Sequence, residues 1–284
     1  VRGILDKLAI TARVEGDNLV ADYTLVVGGT PLPLNGLIGR GLQLCAIGVY
    51  SCSACGASTK KPYGGAYCYE CFTTLARCDL CVMSPSRCHY AEGTCREPAW
   101  GESFCMQPHS VYLANSSGPK VGITRQGREH QRWMDQGASQ ALVIADASTR
   151  KSAGDLEIVL AQMVSDRTDW KRLVNGAPTS LNLPQLVPQL HARADEMPGV
   201  SWKQSLTPIS ISYPIEMYSP PKRIKLDQQQ SEICDNLMGI KGQFLLLTQG
   251  AFNVAEHQGL EVEVQFKEPL AAEDIAGSDQ LTLF

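Results

Sequence analysis

Period-two alternation marks both ends of the chain. "LVADYTLVV" (19–27) mixes alternation with β-branched residues before a Gly-Gly turn at 28–29, and "LEVEVQF" (260–266) alternates cleanly. Both patterns predict half-buried strands. "LNGLIGRGLQLCAIG" is apolar and glycine-punctuated, as short strands that turn corners are. "PISISYPI" and "FLLL" continue the β pattern in the later part of the chain. "IKGQFLLLTQG" faintly echoes "IGRGLQLCAIG", which suggests that the β-rich ends, residues 1–50 and 203–268, form one split domain.

The middle of the chain reads differently. Residues 51–109 carry little helical period and hold most of the cysteines. Between 110 and 176, "SVYLA" and "KVGIT" read as a hairpin around the turn-rich "NSSGP". A polar helix is expected near 126–136 and a buried strand at "ALVIA" (141–145). A second helix is expected at about 153–165, where Leu156, Val159, Leu160, Met163 and Val164 make an apolar stripe. Ser152 and Asp155 resemble a capping box at its start. The order is ββαβα. Several prolines make residues 177–202 read as a connector, and the small and acidic residues of 269–279 read as a flexible tether within a tail spanning 269–284. The fold class is α+β: β-rich terminal segments flank a metal-binding module and a ββαβα domain.

Composition narrows the function. The chain has 284 residues, 44% of them hydrophobic, enough for a large core and more than one domain. A net charge of −4 leaves no global basic field, so any nucleic-acid contact must come from a local patch. No apolar run is long enough to cross a bilayer and no signal sequence is visible, so a cytoplasmic protein without a membrane partner is expected.

Ten of the eleven cysteines lie between Cys45 and Cys105, and without a secretory signal their CxxC spacing reads as metal binding. Cys52-x2-Cys55 and Cys68-x2-Cys71 form a zinc-ribbon pattern, two knuckles that each offer two thiolates to one tetrahedral ion. Cys78, Cys81, Cys95 and Cys105 are the expected ligands of a second zinc, with Cys88 as a substitute. The spacing of Cys81, Cys88, Cys95 and Cys105 could instead wrap an iron–sulfur cluster. Cys45 and Cys234 read as ordinary buried thiols.

"SVYLANSSGPKVGIT", followed by Arg132 and Glu157, resembles a divergent GIY-YIG domain over residues 110–175. Ser110-Val111-Tyr112 matches the family's first tripeptide and Lys120-Val121-Gly122 its second, with Lys120 where the second tyrosine belongs. The resemblance implies phosphodiester cleavage with Mg²⁺ or Mn²⁺. Glu157 would hold the ion and Arg132 would steady phosphate, with Tyr112 and Lys120 at the tyrosine positions. Asn175 is the nearest counterpart of the family's late asparagine. Arg125 and Arg128, together with Lys222 and Arg223 in "PPKRIKL", are candidate phosphate contacts. "CDLC", "GTCREPAW", "VYLANSSGPKVGITR…RWMDQGA" and "GIKGQFLLL" resemble an uncharacterised bacterial family, which lends no activity.

The chain finishes on "DQLTLF". "QLTLF" is similar to the pentapeptide that binds the bacterial sliding clamp: Gln280 would make polar contacts while Leu281, Leu283 and Phe284 enter an apolar pocket. The expectation is a zinc-stabilised DNA endonuclease or repair factor recruited by the clamp. The alternatives are a non-catalytic nucleic-acid adaptor, or a zinc protein directed to RNA or tRNA.

Overall fold

A computed structural model describes residues 1–227 and 231–276. It is a mixed α/β structure, 36% strand against 26% helix, so sheet packing rather than helix packing sets its core. The sheet is curled into a half-barrel.

The described strands form two sheets. In the first, Gly41–Ser51 lies between Leu260–Lys267 and Glu232–Lys241, with Arg2–Ile4 on the outer side of Leu260–Lys267. Segments from both ends of the chain therefore share one sheet: Val262 faces Ala46, and Ile233 faces Leu44. Residues 9–33 go elsewhere. Asn18–Val27 pairs in parallel with Ile209–Ser212, which pairs antiparallel with Gln140–Ala147. The N-terminal β segment is thus shared between the two sheets. Along Asn18–Val27 every second residue is buried, from Leu19 to Val27, as its alternating sequence requires.

The second sheet carries the ββαβα unit. Its elements are β1 (His109–Asn115), β2 (Pro119–Arg125), α1 (Glu129–Asp135), β3 (Gln140–Ala147) and α2 (Arg150–Leu160). β1 pairs antiparallel with both β2 and β3 and is buried along its whole length. One of its faces sends Tyr112 and Ala114 into the core shared with the first sheet. The other sends Val111 and Leu113 under α2.

Three expectations need correction. The helix α2 is capped by Thr149, whose Oγ1 accepts from the Ser152 N–H at 3.1 Å, rather than by a box built on Ser152. It ends at Leu160 because the following residues turn off to meet β2, where the Val121 N–H donates to the Ser165 carbonyl at 2.8 Å. Residues 177–202 are packed structure, with Leu183–Leu186 and Val187–Arg193 helical and Val200–Trp202 paired with β3. Pro184 and Pro188 stand in the first turns of these helices, where a missing N–H costs nothing, and Leu183, Val187 and Leu190 are buried. The start of the presumed tether is also tied down. Asn236 exchanges two hydrogen bonds with the Leu270 backbone (2.8 and 2.9 Å), and Ile275 is buried on the short helix Ala272–Ala276. Gln280, Leu281, Leu283 and Phe284 lie outside the described residues.

One core residue breaks the usual rule. Lys241 is 1% exposed, and its ammonium has no hydrogen-bond partner among the described residues. It lies 5.5 Å from the Tyr218 ring and 6.0 Å from that of Tyr213. Burial lowers its pKa to about 8. The unfolded chain keeps this proton up to its ordinary value of 10.5, so burial destabilises the fold below about pH 8 and the penalty fades as pH rises toward 10.5. A shift of this size corresponds to on the order of 3 kcal/mol. Lys241→Met should therefore raise unfolding free energy at pH 7 by about 1–3 kcal/mol. The advantage over the parent should shrink in urea titrations between pH 8 and 10.5.

Candidate functional site

Two sites can be built from the described residues. The first grows from the end of Gly41–Ser51. The chain leaves the sheet at Cys52, turns at Gly56 (φ +73°), and pairs back through Ser58–Thr59. The Gly56 N–H donates to the Cys52 carbonyl at 2.8 Å, which closes the first knuckle. The Ser53 N–H donates to the Ala66 carbonyl at 2.8 Å and fastens it to the second. There Cys68 caps the helix Tyr69–Thr74, its sulfur 3.5 Å from the Cys71 N–H.

All four thiols of Cys52, Cys55, Cys68 and Cys71 lie within 4.8 Å of one another, and Cys55 Sγ is 3.8 Å from Cys68 Sγ. A tetrahedral zinc with Zn–S bonds of about 2.3 Å has sulfur–sulfur edges of about 3.8 Å, so the donor set fits the ion. Burial opposes ionisation of Cys52, but backbone N–H groups of Cys68, Cys55 and Ala54 aimed at its sulfur outweigh that and lower its pKa to about 6. These four cysteines could hold a metal such as zinc.

The second site is a cleft of about 600 Å³ between the ββαβα unit and the cysteine-rich segment. Arg125 at the end of β2, Arg128 and Arg132 at α1, and Arg150 and Glu157 on α2 all line it, with Asp166 beyond α2. Met83, Pro85 and Phe104 form the opposing wall. Of the residues singled out in the sequence, Arg125, Arg128, Arg132 and Glu157 are brought together.

Arg150 was missed. It stands seven residues before Glu157, two helical turns on the same face, and that spacing was the available signal. Its Nη2 donates to the Val82 carbonyl at 2.6 Å, and its backbone N–H donates to the Cys105 carbonyl at 2.8 Å. The Phe104 ring lies 4.4 Å from the Arg125 guanidinium and 5.7 Å from that of Arg150. Glu157 sits in the middle of α2, so the first-turn dipole does not explain it. Its carboxylate makes no hydrogen bond or ion pair among the described residues. Burial raises its pKa, against the opposing charges of Lys120, Arg132 and Arg150.

The two residues at the tyrosine positions face inward. Tyr112 is fully buried, edge-on to Trp133. With the Gln136 amide turned so that its nitrogen donates to Tyr112 Oη (2.9 Å), its oxygen accepts from Arg132 Nη2 at 3.1 Å and Nε at 3.3 Å. Tyr112 therefore acts on the cleft through Gln136, as a support for Arg132. Lys120 is 4% exposed, and burial with the Arg132 charge lowers its pKa to about 8. Neither residue lines the cleft.

The Tyr112 ring lies against Gly122 on β2, where an added Cβ would come 2.6 Å from its hydroxyl. Gly122→Ala should cost about 1–3 kcal/mol in denaturant unfolding, because the buried ring has nowhere to retreat.

Other expected residues lie apart. Arg223 pairs with Glu256 and stacks over Trp170 and Phe244, each 5.0 Å away. It and exposed Lys222 are not at the cleft, and Asn175 lines a separate pocket. Cys81, Cys95 and Cys105 line one small pocket with Cys88, whereas Cys78 does not.

The family model described as "Protein of unknown function (DUF2797)" matches residues 39–262. The chain belongs to this family. The four cysteines, Glu157 and the arginines of the cleft lie inside the DUF2797 segment, whereas Lys7, which also lines the cleft, and the strands of residues 2–33 precede it. No curated protein and no solved structure matches the chain. Among the described residues, no helix is long and apolar enough to cross a membrane.

Proposed function

We propose that this DUF2797 protein binds the phosphodiester backbone of nucleic acid in the cleft and cleaves it with a divalent cation held at Glu157. One observation carries the reading: Arg132 and Glu157 line the same cleft, with Arg125, Arg128 and Arg150 beside them. That is the constellation the GIY-YIG resemblance implies. Guanidinium groups grip phosphate bidentately, and several in one cleft give a local positive field on a protein of net charge −4.

A divalent cation fits Glu157 on chemical grounds, because a half-buried carboxylate without a hydrogen-bond partner, with Asp166 on the same cleft, offers hard oxygen donors. When bound, such an ion polarises a phosphoryl oxygen. Arg132, steadied by Gln136 and Tyr112, fixes the phosphate, and Arg150 supplies charge from the base of α2. A metal in the four-cysteine site stabilises the module that precedes the opposing wall.

A second reading is a non-catalytic nucleic-acid adaptor. It is favoured by the burial of Tyr112 and by buried Lys120 in place of the second tyrosine.

The test is incubation of the purified protein with labelled branched DNA, single-stranded DNA and RNA, with Mg²⁺, with Mn²⁺ or with chelator. Metal-dependent cleavage of any of them supports the nuclease reading, and the preferred substrate separates DNA from RNA. Salt-sensitive binding without cleavage supports the adaptor, and no binding sinks both. Recruitment by the sliding clamp through residues 280–284 rests on the sequence pattern, and clamp pull-down before and after truncation tests it.

A further inference from the structure

The small pocket beneath the cleft wall carries a second inference. We propose that Cys81, Cys88, Cys95 and Cys105 together bind a second thiophilic metal centre, and that Cys78 is not one of its ligands. The four thiols arrive from four different places: the short helix Leu80–Met83, the end of the turn Pro85–Arg87, the loop after Gly93, and the C-cap of Pro98–Phe104. They nevertheless line one pocket.

Cys88, Cys95 and Cys105 are not among the donor groups that lie within 4.8 Å of one another, so the thiols share the pocket without a preformed ligand sphere. Gly101 of the helix Pro98–Phe104 lies under Cys95, where an added Cβ would stand 3.3 Å from its sulfur. Cys105 is buried. Between Ala76 and Cys105 the buried residues are few, Ala76, Pro85, Gly101 and Cys105 among those in or capping helices, too small a set to hold a strandless segment together. Segments of this kind need a staple. Cys78 does not line that pocket.

A competing donor set lies close by. Asp79, Cys81 and His89 place ligand atoms within 4.8 Å of one another. Asp79, however, is held by Arg96 at 2.8 Å, and His89 Nε2, the ring nitrogen not engaged by Thr94 Oγ1, faces Asp79 at 3.6 Å. These groups hold one another and frame the thiols as an outer shell. Four soft thiolates select zinc or an iron–sulfur cluster over hard cations.

The site also reaches the cleft. Both carbonyls that hold Arg150 belong to this frame, one on Cys105 itself and one on Val82, next to Cys81. Hydrogen exchange at the start of α2 should therefore quicken when the centre is lost.

The test is metal and acid-labile sulfide content of the full chain, purified both in air and without oxygen, with cobalt(II) substitution in place of zinc. Two zinc equivalents per chain, and a cobalt form whose charge-transfer band corresponds to two thiolate sites, give a zinc centre. Iron with sulfide in equal amounts gives a cluster. Either supports the proposal. Cys88→Ser and Cys95→Ser should each lose the second centre and keep the first, and Cys78→Ser should keep both. A parent with one equivalent and no sulfide overturns the proposal. So does loss of the second metal in Cys78→Ser with retention in Cys88→Ser. Loss in His89→Ala with retention in Cys88→Ser would assign the metal to Asp79, Cys81 and His89 instead. The readouts are metal and sulfide, so the result stands whether or not the cleft cleaves nucleic acid.

Discussion

Cys68→Ser should release the metal of the first site and melt residues 52–74 while the two sheets stay folded. Structural zinc contributes about 10 kcal/mol or more of apparent folding free energy to a small module. Little else holds this one: Cys52 and Ala66 are the buried residues between Cys52 and Thr74. Cys68 is also the cap of Tyr69–Thr74, so its loss removes a ligand and a helix start together. Serine keeps the shape but not the soft thiolate, and the remaining sulfurs are left without their fourth partner. The sheet strand Gly41–Ser51 is independent of the ion, since its neighbours Glu232–Lys241 and Leu260–Lys267 bury Leu42 and Leu44. The expected signature is the loss of one equivalent in a chromogenic zinc assay, rapid proteolysis between residues 52 and 74, and a nearly unchanged far-ultraviolet β signal. Cys45→Ser and Cys234→Ser should leave the metal in place. Because the ligands bind as thiolates, the parent should lose its metal as pH falls, and a chelator should reproduce the Cys68→Ser pattern. An unchanged zinc content in Cys68→Ser would remove that residue from the ligand set.

What could be read from the sequence divides along a physical line. "LEVEVQF" announced Leu260–Lys267 because alternation is a local consequence of the pleat. The two CxxC knuckles were visible because each brings two sulfurs to one four-thiol group within a single turn. The strand and helix order of residues 109–160 was visible for the same reason, since hairpin and helix patterns are local. The route of Asn18–Val27 was not. Its parallel partner Ile209–Ser212 is far away in sequence, and no local pattern encodes that choice. Pro184 and Pro188 misled because a proline that breaks a helix interior is welcome in its first turn. Tyr112 and Arg150 exchanged prominence for a related reason. A motif letter does not say which face of a strand is covered, and β1 is covered on both. Arg150 belonged to no motif, yet its position on α2 and its two carbonyl anchors point it into the cleft.

Glu157→Gln should separate cleavage from binding in opposite directions. Loss of an outer-shell partner of a metal typically costs about 10–100-fold in activity, and a direct ligand belongs at or beyond the top of that range, so cleavage should fall by at least about 100-fold. Binding should move the other way. Glu157 places a negative charge among Arg125, Arg128, Arg132 and Arg150, and the amide removes that charge while keeping the shape. In chelator, the variant should therefore bind nucleic acid more tightly than the parent. Arg132→Ala should weaken binding and make the dependence of log K on log salt shallower, by about 0.9 for each duplex phosphate that the protein no longer neutralises. Stability supplies the control. Burial raises the Glu157 pKa, so its carboxylate is less comfortable in the folded chain than in the unfolded one. A carboxyl raised in this way favours the fold when protonated, and that advantage is lost as pH rises through its folded value. At pH 7 the amide should leave the melting temperature unchanged or raise it. A half-buried carboxyl whose ionisation burial opposes is what a functional carboxylate looks like. A clear fall in melting temperature for Glu157→Gln, with cleavage unchanged, would mean that the carboxylate serves the fold and that the cleft only binds.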